Sequence, residues 1–337
     1  VPVMDAKFVQ GDLVLATHGR GIIVFDHFAP LAEYSDAIAK QPLHLFTPRT
    51  GTQFVRWSRG EGAEPIYTVP NAPDGVVIDY SVDKAIKAVK HDKHGAVTLT
   101  VRDSAGKLIA TRYTNAKPGV NRYVWNIRYD GATQLDFDKP QSDDPDKDKD
   151  GNNSHGPMVL PGTYQVTVSA DGHSASESVL VQADPNQKPA PQAEQVNLQH
   201  GLQARAQLSA LNDILNRVTS MRATLKEFED KAGDDSRYAS ALAQAKKLDG
   251  ELGSFRDSIY APGVQHAVVE DELKQLTDLQ GSMAAMAEGG FSSLEGQLPT
   301  PAMLEREQQL GSALSAKVDQ FNALLAGDVT SYNHAAY

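Results

Sequence analysis

The sequence predicts a multidomain β + α chain: a strand pair first, a β-sandwich in the middle and an antiparallel helical bundle at the end. Three observations predict it. From about residue 43 to 183 the apolar residues recur with a period of two, the mark of half-buried strands. After residue 192 they recur at threes and fours, which lines one face of a helix. Between the two patterns runs Asp184-Pro185-Asn186-Gln187-Lys188-Pro189-Ala190-Pro191, whose prolines remove hydrogen-bond donors and favour extended backbone. A chain of 337 residues is also too long for one ordinary core. The expected divisions are residues 1–42, 43–183, a linker at 184–192, and 193–337.

The bulk composition excludes several functions. The formal net charge is −11, which argues against a nucleic-acid partner, because phosphate binding needs clustered Lys and Arg. Cysteine is absent, so disulfides, thiolate metal sites and cysteine nucleophiles are excluded. No apolar run approaches the roughly 18 residues that a membrane span requires. The chain begins at Val1 without signal-peptide features, and the reading favoured here is that it begins mid-protein.

The first segment motivates that reading. Leu13-Val14-Leu15-Ala16 and Gly21-Ile22-Ile23-Val24-Phe25 are short apolar strands around the turn Thr17-His18-Gly19-Arg20-Gly21. An isolated hairpin is marginal in water, so other sheets should cover this one, and the rest of the sequence turns to different patterns. His18 and Arg20 invite a chemical role; the plainer reading is a polar strand turn.

Ala16-Thr17-His18-Gly19-Arg20-Gly21-Ile22 with Val24-Phe25-Asp26 resembles the closing strands of the BNR/Asp-box propellers of bacterial proteins labelled glycosyl hydrolases, which are related to sialidase-like and sortilin-like propellers. The resemblance continues through Leu45-Phe46-Thr47-Pro48-Arg49, Gly75-Val76-Val77-Ile78-Asp79-Tyr80, Pro118-Gly119-Val120-Asn121-Arg122-Tyr123-Val124-Trp125 and Pro161-Gly162-Thr163-Tyr164. It implies that residues 1–42 are the last strands of a β-propeller and that the N-terminal propeller of the same protein is the partner. It also implies export to the periplasm or medium. The Asp-box itself, Ser-x-Asp-x-Gly-x-x-Trp, is missing. Sugar-cleaving carboxylates of such a family would sit on the propeller, so the resemblance transfers no catalytic residue to this chain.

In the middle region Ala96 to Val101 and Tyr164 to Val168 alternate, with turn signals at Asp103-Ser104-Ala105-Gly106, Lys117-Pro118-Gly119 and Ala170-Asp171-Gly172. Short strands so punctuated predict an immunoglobulin-like sandwich. Trp125 alternates inward with Tyr123 and Ile127 and is expected in its core. Trp57, beside Arg56 and Arg59, is the candidate ligand surface. The acidic loop 134–156 holds Asp146, Asp148 and Asp150 before Gly151. Alternating carboxylates can wrap a calcium ion, although Pro157 stands where an EF-hand has its bidentate Glu. A solvated, self-repelling insertion is the competing reading. His91 and His94 lie in a polar turn with no third ligand nearby, so no metal is expected there.

In the tail, Leu208, Leu211, Leu215, Val218, Met221, Leu225 and Phe228 form one helical stripe, stopped at Gly233. Leu242, Ala245, Leu248, Leu252, Phe255 and Ile259 form a second, and Val269, Leu273, Leu276, Met283 and Met286 a third. Thr300-Pro301 reads as a helix cap with proline at the first position, opening a stripe of Leu304, Leu314, Val318, Phe321 and Leu325. Tyr332 to Tyr337 is expected to fray.

The functional expectation is a non-catalytic accessory module of a propeller protein. The alternatives are a protein- or peptide-binding scaffold of sortilin type and a calcium-dependent carbohydrate-binding module. An enzyme within this chain is disfavoured: there is no Gly-x-Ser-x-Gly, and no pair of carboxylates can be placed at glycosidase separation from sequence.

Overall fold

The structure, a computed structural model, describes residues 1–9, 11–54, 73–87, 97–136, 155–233, 235–260, 279–291, 293–294, 296–330 and 332. It is a mixed β and α protein with several sheets and a set of helices. The chain forms two compact units. The first contains Val1–Asp130 and Val159–Gln187; the second contains residues 131–136, His155–Met158 and Lys188–Tyr337.

The first unit opens with three strands, β1 (Val3–Val9), β2 (Asp12–Thr17) and β3 (Ile22–Phe25), in one antiparallel sheet. The predicted pair is therefore a triplet: Asp5 and Lys7 interrupt the apolar run of β1 and hide it from a pattern search. Two short helices follow, α1 (Ala29–Glu33) and α2 (Asp36–Ala39). Then come β4 (Leu43–Leu45), β5 (Gly51–Gln53), β6 (Val76–Val82), β7 (Val97–Arg102), β8 (Leu108–Thr114), β9 (Gly119–Trp125), β10 (Gly162–Ala170) and β11 (His173–Ala183). They make a three-stranded sheet in the order β4-β6-β9 and a five-stranded sheet in the order β5-β11-β10-β7-β8. All pairings are antiparallel except β5 with β11.

Alternation explains these sheets. Val97, Leu99 and Val101 of β7 are buried, as are Tyr164, Val166 and Val168 of β10, while the intervening residues are more exposed. The two sheets meet through their aromatic residues. Trp125 of β9 is 1% exposed and lies edge-on to Tyr164 of β10, ring centroids 5.5 Å apart. Both polar handles are satisfied: Trp125 Nε1 donates to the Arg128 carbonyl at 3.0 Å, and the Tyr164 hydroxyl donates to the Leu160 carbonyl at 2.7 Å. Burial, joined by the negative charge of neighbouring groups, pushes the Tyr164 phenol up to about 12. Gly75 enters β6 at φ +138°, where a Cβ would stand 2.1 Å from the Trp125 carbonyl oxygen. Only glycine fits that approach.

The second unit is built on α3 (Ala193–Ala232), a 40-residue helix. Against it pack α4 (Ala239–Asp257), α5 (Leu279–Ala285) and α6 (Pro301–Leu324). Leu208, Leu211, Leu215 and Val218 of α3 share one core with Leu248 and Leu252 of α4, Met283 of α5, and Leu310, Leu314 and Phe321 of α6. Gly233 ends α3, and the Thr300 hydroxyl accepts the Met303 N–H at the start of α6. Two expectations need correction. Leu304 is exposed, because the buried stripe of α6 runs through Glu307, Leu310, Leu314 and Phe321 and leaves Leu304 about one residue's rotation away. Tyr332 is helical and packs its ring on Phe228, 6.0 Å between centroids. Val269, Leu273 and Leu276 lie outside the described residues.

Two substitutions probe the two cores. Trp125→Ala should lower the unfolding free energy by about 3–5 kcal/mol, and Leu215→Ala by about 2–5 kcal/mol. Urea denaturation followed by circular dichroism checks both, and losses below about 1 kcal/mol would contradict the packing.

Candidate functional site

The N-terminal sheet is the feature that the fold leaves incomplete. Its register sets Phe8, Leu13 and Phe25 side by side on one face, with Ala6, Leu15 and Ile23 beside them. Val14 and Val24 share the other face with Val9 and Ile22, by the alternation of side chains along a strand. Strands covered on both faces read as unbroken apolar runs, and Leu13-Val14-Leu15-Ala16 and Ile22-Ile23-Val24-Phe25 are such runs. Yet Phe8 is 68% exposed, Ile22 72% and Met4 70%. Phe28 gives one face a partial cover, its ring 5.6 Å from Phe8 and 6.5 Å from Phe25. Among the described residues β1 and β3 each pair only with β2, so neither outer edge of the sheet carries a described strand.

One polar node holds this sheet to the rest of the unit. His27, two residues beyond β3, is 5% exposed and has φ +52°, a conformation uncommon outside glycine. Its N–H donates to Asp12 Oδ1 at 2.9 Å, which helps hold the turn. Its Nδ1 lies 2.6 Å from Oδ2 of Asp79, a residue of β6 only 1% exposed. A carboxylate only accepts, so Nδ1 carries the hydrogen. Arg122 of β9 donates to the same carboxylate from Nε (2.9 Å) and Nη2 (3.1 Å), the bidentate geometry that suits guanidinium. Arg49 completes the node by donating to Asp12 Oδ1 at 2.9 Å. Beside it opens a cleft of about 350 Å³ whose wall includes Phe25, Phe28, Leu31, Asn121 and Arg122.

Burial favours the protonated form of Asp79, but the hydrogen bonds from His27 and Arg122, helped by their charge, outweigh it. The carboxyl is held below the usual carboxylate range. Asp26 and Asp79 in the cleft wall, and Asp12 of the neighbouring strand, have cationic neighbours in Arg49 and Arg122. A His–Asp pair can orient an imidazole for proton transfer. Here Asp79 is saturated by protein donors, which makes the group a clamp.

The sequence reading missed this node, although one signal was available: Asp79 is a lone charge within the apolar strand Val76–Val82. His18 and Arg20, the polar residues that drew attention, lie exposed in the β2–β3 turn. There the Thr17 N–H and hydroxyl both donate to the Gly21 carbonyl. Arg56 and Trp57, the proposed ligand surface, and Asp146, Asp148 and Asp150, the proposed calcium ligands, lie outside the described residues, as do His91 and His94. Among the described residues no group of three or more His, Asp or Glu could hold a metal ion, and no helix is long and apolar enough to cross a membrane.

Asp79→Asn should cost about 1.5–3 kcal/mol of stability near neutral pH, the worth of hydrogen bonds to a charged group. The sign of its pH dependence follows from the lowered folded-state pKa. The contribution is complete above the ordinary Asp pKa of about 3.9 and disappears as the pH falls through the folded-state value. Urea titrations of both proteins across an acid series test this, and a gap that stays constant to about pH 2 would contradict it.

Comparison with known proteins returned no matching family model, no matching curated protein and no matching solved structure.

Proposed function

We propose that this chain is a non-catalytic accessory module of an exported BNR/Asp-box propeller protein, and that β1–β3 join the propeller of that same protein. In this reading the two sheets of the first unit form an immunoglobulin-like sandwich and the helices form an antiparallel bundle, both serving to buttress the propeller. One observation carries the reading: the N-terminal sheet has apolar runs suited to cover on both faces, and both faces are exposed. Burying a side chain such as Phe8 or Ile22 contributes roughly 1.5–3 kcal/mol, so a covering sheet gains substantial stability from this surface. The His27–Asp79–Arg122 clamp supports the same role, since a buttress needs a firm joint to the sheet it presents. Periplasmic or secreted location comes with the proposal, from the family resemblance.

The open edges of β1 and β3 favour a second reading, a sortilin-type scaffold that takes up a peptide by strand addition. The two separate cleanly in one experiment. The propeller segment encoded upstream, produced as its own polypeptide, should bind this chain, and Phe8→Asp with Ile22→Asp should weaken that association at least about ten-fold. Absence of a complex, with extended peptides captured instead, would favour the scaffold. The chain alone should hydrolyse nothing on a glycan panel, and clear turnover would overturn the non-catalytic assignment.

A further inference from the structure

The outer edge of β1 carries an ordered pattern of backbone and side-chain groups. Every residue of β1 is exposed, and among the described residues the strand pairs only with β2. The direction of its backbone groups follows from the neighbouring ladder. The Thr17 N–H donates to the Gly21 carbonyl, on the β3 side, and the N–H and C=O of successive residues alternate between the two sides of a strand. Ala16 and Val14 therefore face β1, where they oppose Asp5 and Lys7. The backbone groups of Asp5 and Lys7 are spent on β2, and those of Ala6 and Phe8 point to the open edge. The Ala6 N–H accords with that direction, since it donates to the Asp5 side chain, Oδ1 at 2.9 Å.

The side chains along this edge are self-complementary. Asp5 and Lys7 lie on one face of the strand, with Ala6 between them on the other. Among the described residues neither charge is committed to an ion pair. Two copies of β1 running antiparallel about a two-fold axis are centred on one residue, which faces itself. A centre at Asp5 or Lys7 sets like charges opposite each other. A centre at Met4 or Phe8 leaves both charges facing uncharged residues. Centred on Ala6, Asp5 of each copy stands opposite Lys7 of the other. Ala6 then exchanges both backbone hydrogen bonds with Ala6 of the second copy. The two charge pairs fall on the positions without backbone bonds, where side chains approach most closely. Phe8 comes opposite Met4, the extra residue of the bulge in β1, so the regular ladder lies at the centre and an apolar contact flanks it on each side.

We propose that the β1 edge is a self-association surface, and that its occupant is β1 of a second copy of this chain. The two N-terminal sheets then join into one continuous antiparallel sheet. Charges on an edge strand commonly repel a second strand; here their signs and spacing select one, the same strand running the other way. An unrelated extended peptide would have to bring a base opposite Asp5 and an acid opposite Lys7. On pairing, the Ala6 N–H exchanges the Asp5 carboxylate for the Ala6 carbonyl of the second copy, which frees that carboxylate for Lys7. A ladder this short makes a weak dimer, held partly by charge and therefore sensitive to salt. The contact uses the β1 edge alone. Both faces of the sheet and the β3 edge stay available for the proposed propeller contact.

The test is sedimentation equilibrium of the full chain, from about 1 to about 300 µM, at low ionic strength. A monomer–dimer equilibrium with a dissociation constant below about 100 µM is expected, weakening as salt is added. Asp5→Lys and Lys7→Asp, both at exposed positions where folding is not at stake, each set like charges opposite each other across the pair. Either should weaken self-association at least about ten-fold. Mixed in equal amounts, the two variants bring opposite charges together at both positions and should associate about as tightly as the original chain. The proposal is overturned if the original chain stays monomeric throughout that range, if either variant dimerises as the original does, or if the mixture fails to associate. No propeller segment takes part, so such a failure leaves the accessory-module reading untouched.

Discussion

A carboxylate in the middle of an apolar strand must be met by donors or give up its charge, and Asp79 imposes that condition on much of the first unit. Its directly opposed residue across β6 and β9 is Arg122, so the pair that neutralises it also pins the register. A slip of one residue would carry Arg122 to the other face of the sheet and leave Asp79 buried alone. The second donor, His27, arrives from the chain just after β3. The position at which the N-terminal sheet leaves the core is therefore set by the same carboxylate, and Asp12 reinforces it by binding both the His27 N–H and Arg49.

That arrangement reconciles two properties of the N-terminal sheet that otherwise conflict. One of its faces is apolar and exposed, and the other exposes Val9, Ile22 and Val24 beside Lys7 and Asp12, which in an unsupported hairpin would lead to fraying or non-specific association. Its end is nevertheless anchored through buried, charge-assisted hydrogen bonds, which are directional in a way that apolar packing is not. A sheet so anchored can present an apolar surface in a defined orientation. The proposed docking to propeller strands needs that combination, since strand pairing is specific only when register and direction are fixed.

Much of the architecture was legible because periodicity is a local property. Val97, Leu99 and Val101 alternate within six residues, and Leu208, Leu211, Leu215 and Val218 mark one helix face within three turns. Thr300-Pro301 announced the start of α6 by cap chemistry alone. The clamp could not be read in that way. His27 and Asp79 are 52 positions apart, and Asp79 and Arg122 are 43 apart, so nothing short of the folded sheet brings them together. Leu304 shows the limit from the other side: a leucine near the stripe of α6 reads as core, yet Glu307 holds the buried position. A charged residue on an apolar stripe carried more information than the leucines around it, as Asp79 did in β6.

Set side by side, the two His–carboxylate pairs show why distance alone does not assign a role. Both have an Nδ1 to oxygen separation of 2.6 Å, and both carboxylates are nearly inaccessible. In Asp79 each oxygen receives donors, Oδ1 from Arg122 and Oδ2 from both His27 and Arg122. Its electrostatic demand is met within the fold, and its work is to hold strands together. In Glu307 of α6 one oxygen is met by His200 of α3 and the other by no donor among the described residues. Replacing such a buried pair by well-packed apolar residues of similar volume is often neutral or stabilising, so the Glu307–His200 contact is weak evidence of stabilisation by itself. Glu307 therefore ties α3 to α6 through one oxygen alone, a less complete pairing than the one that holds β6 to β9.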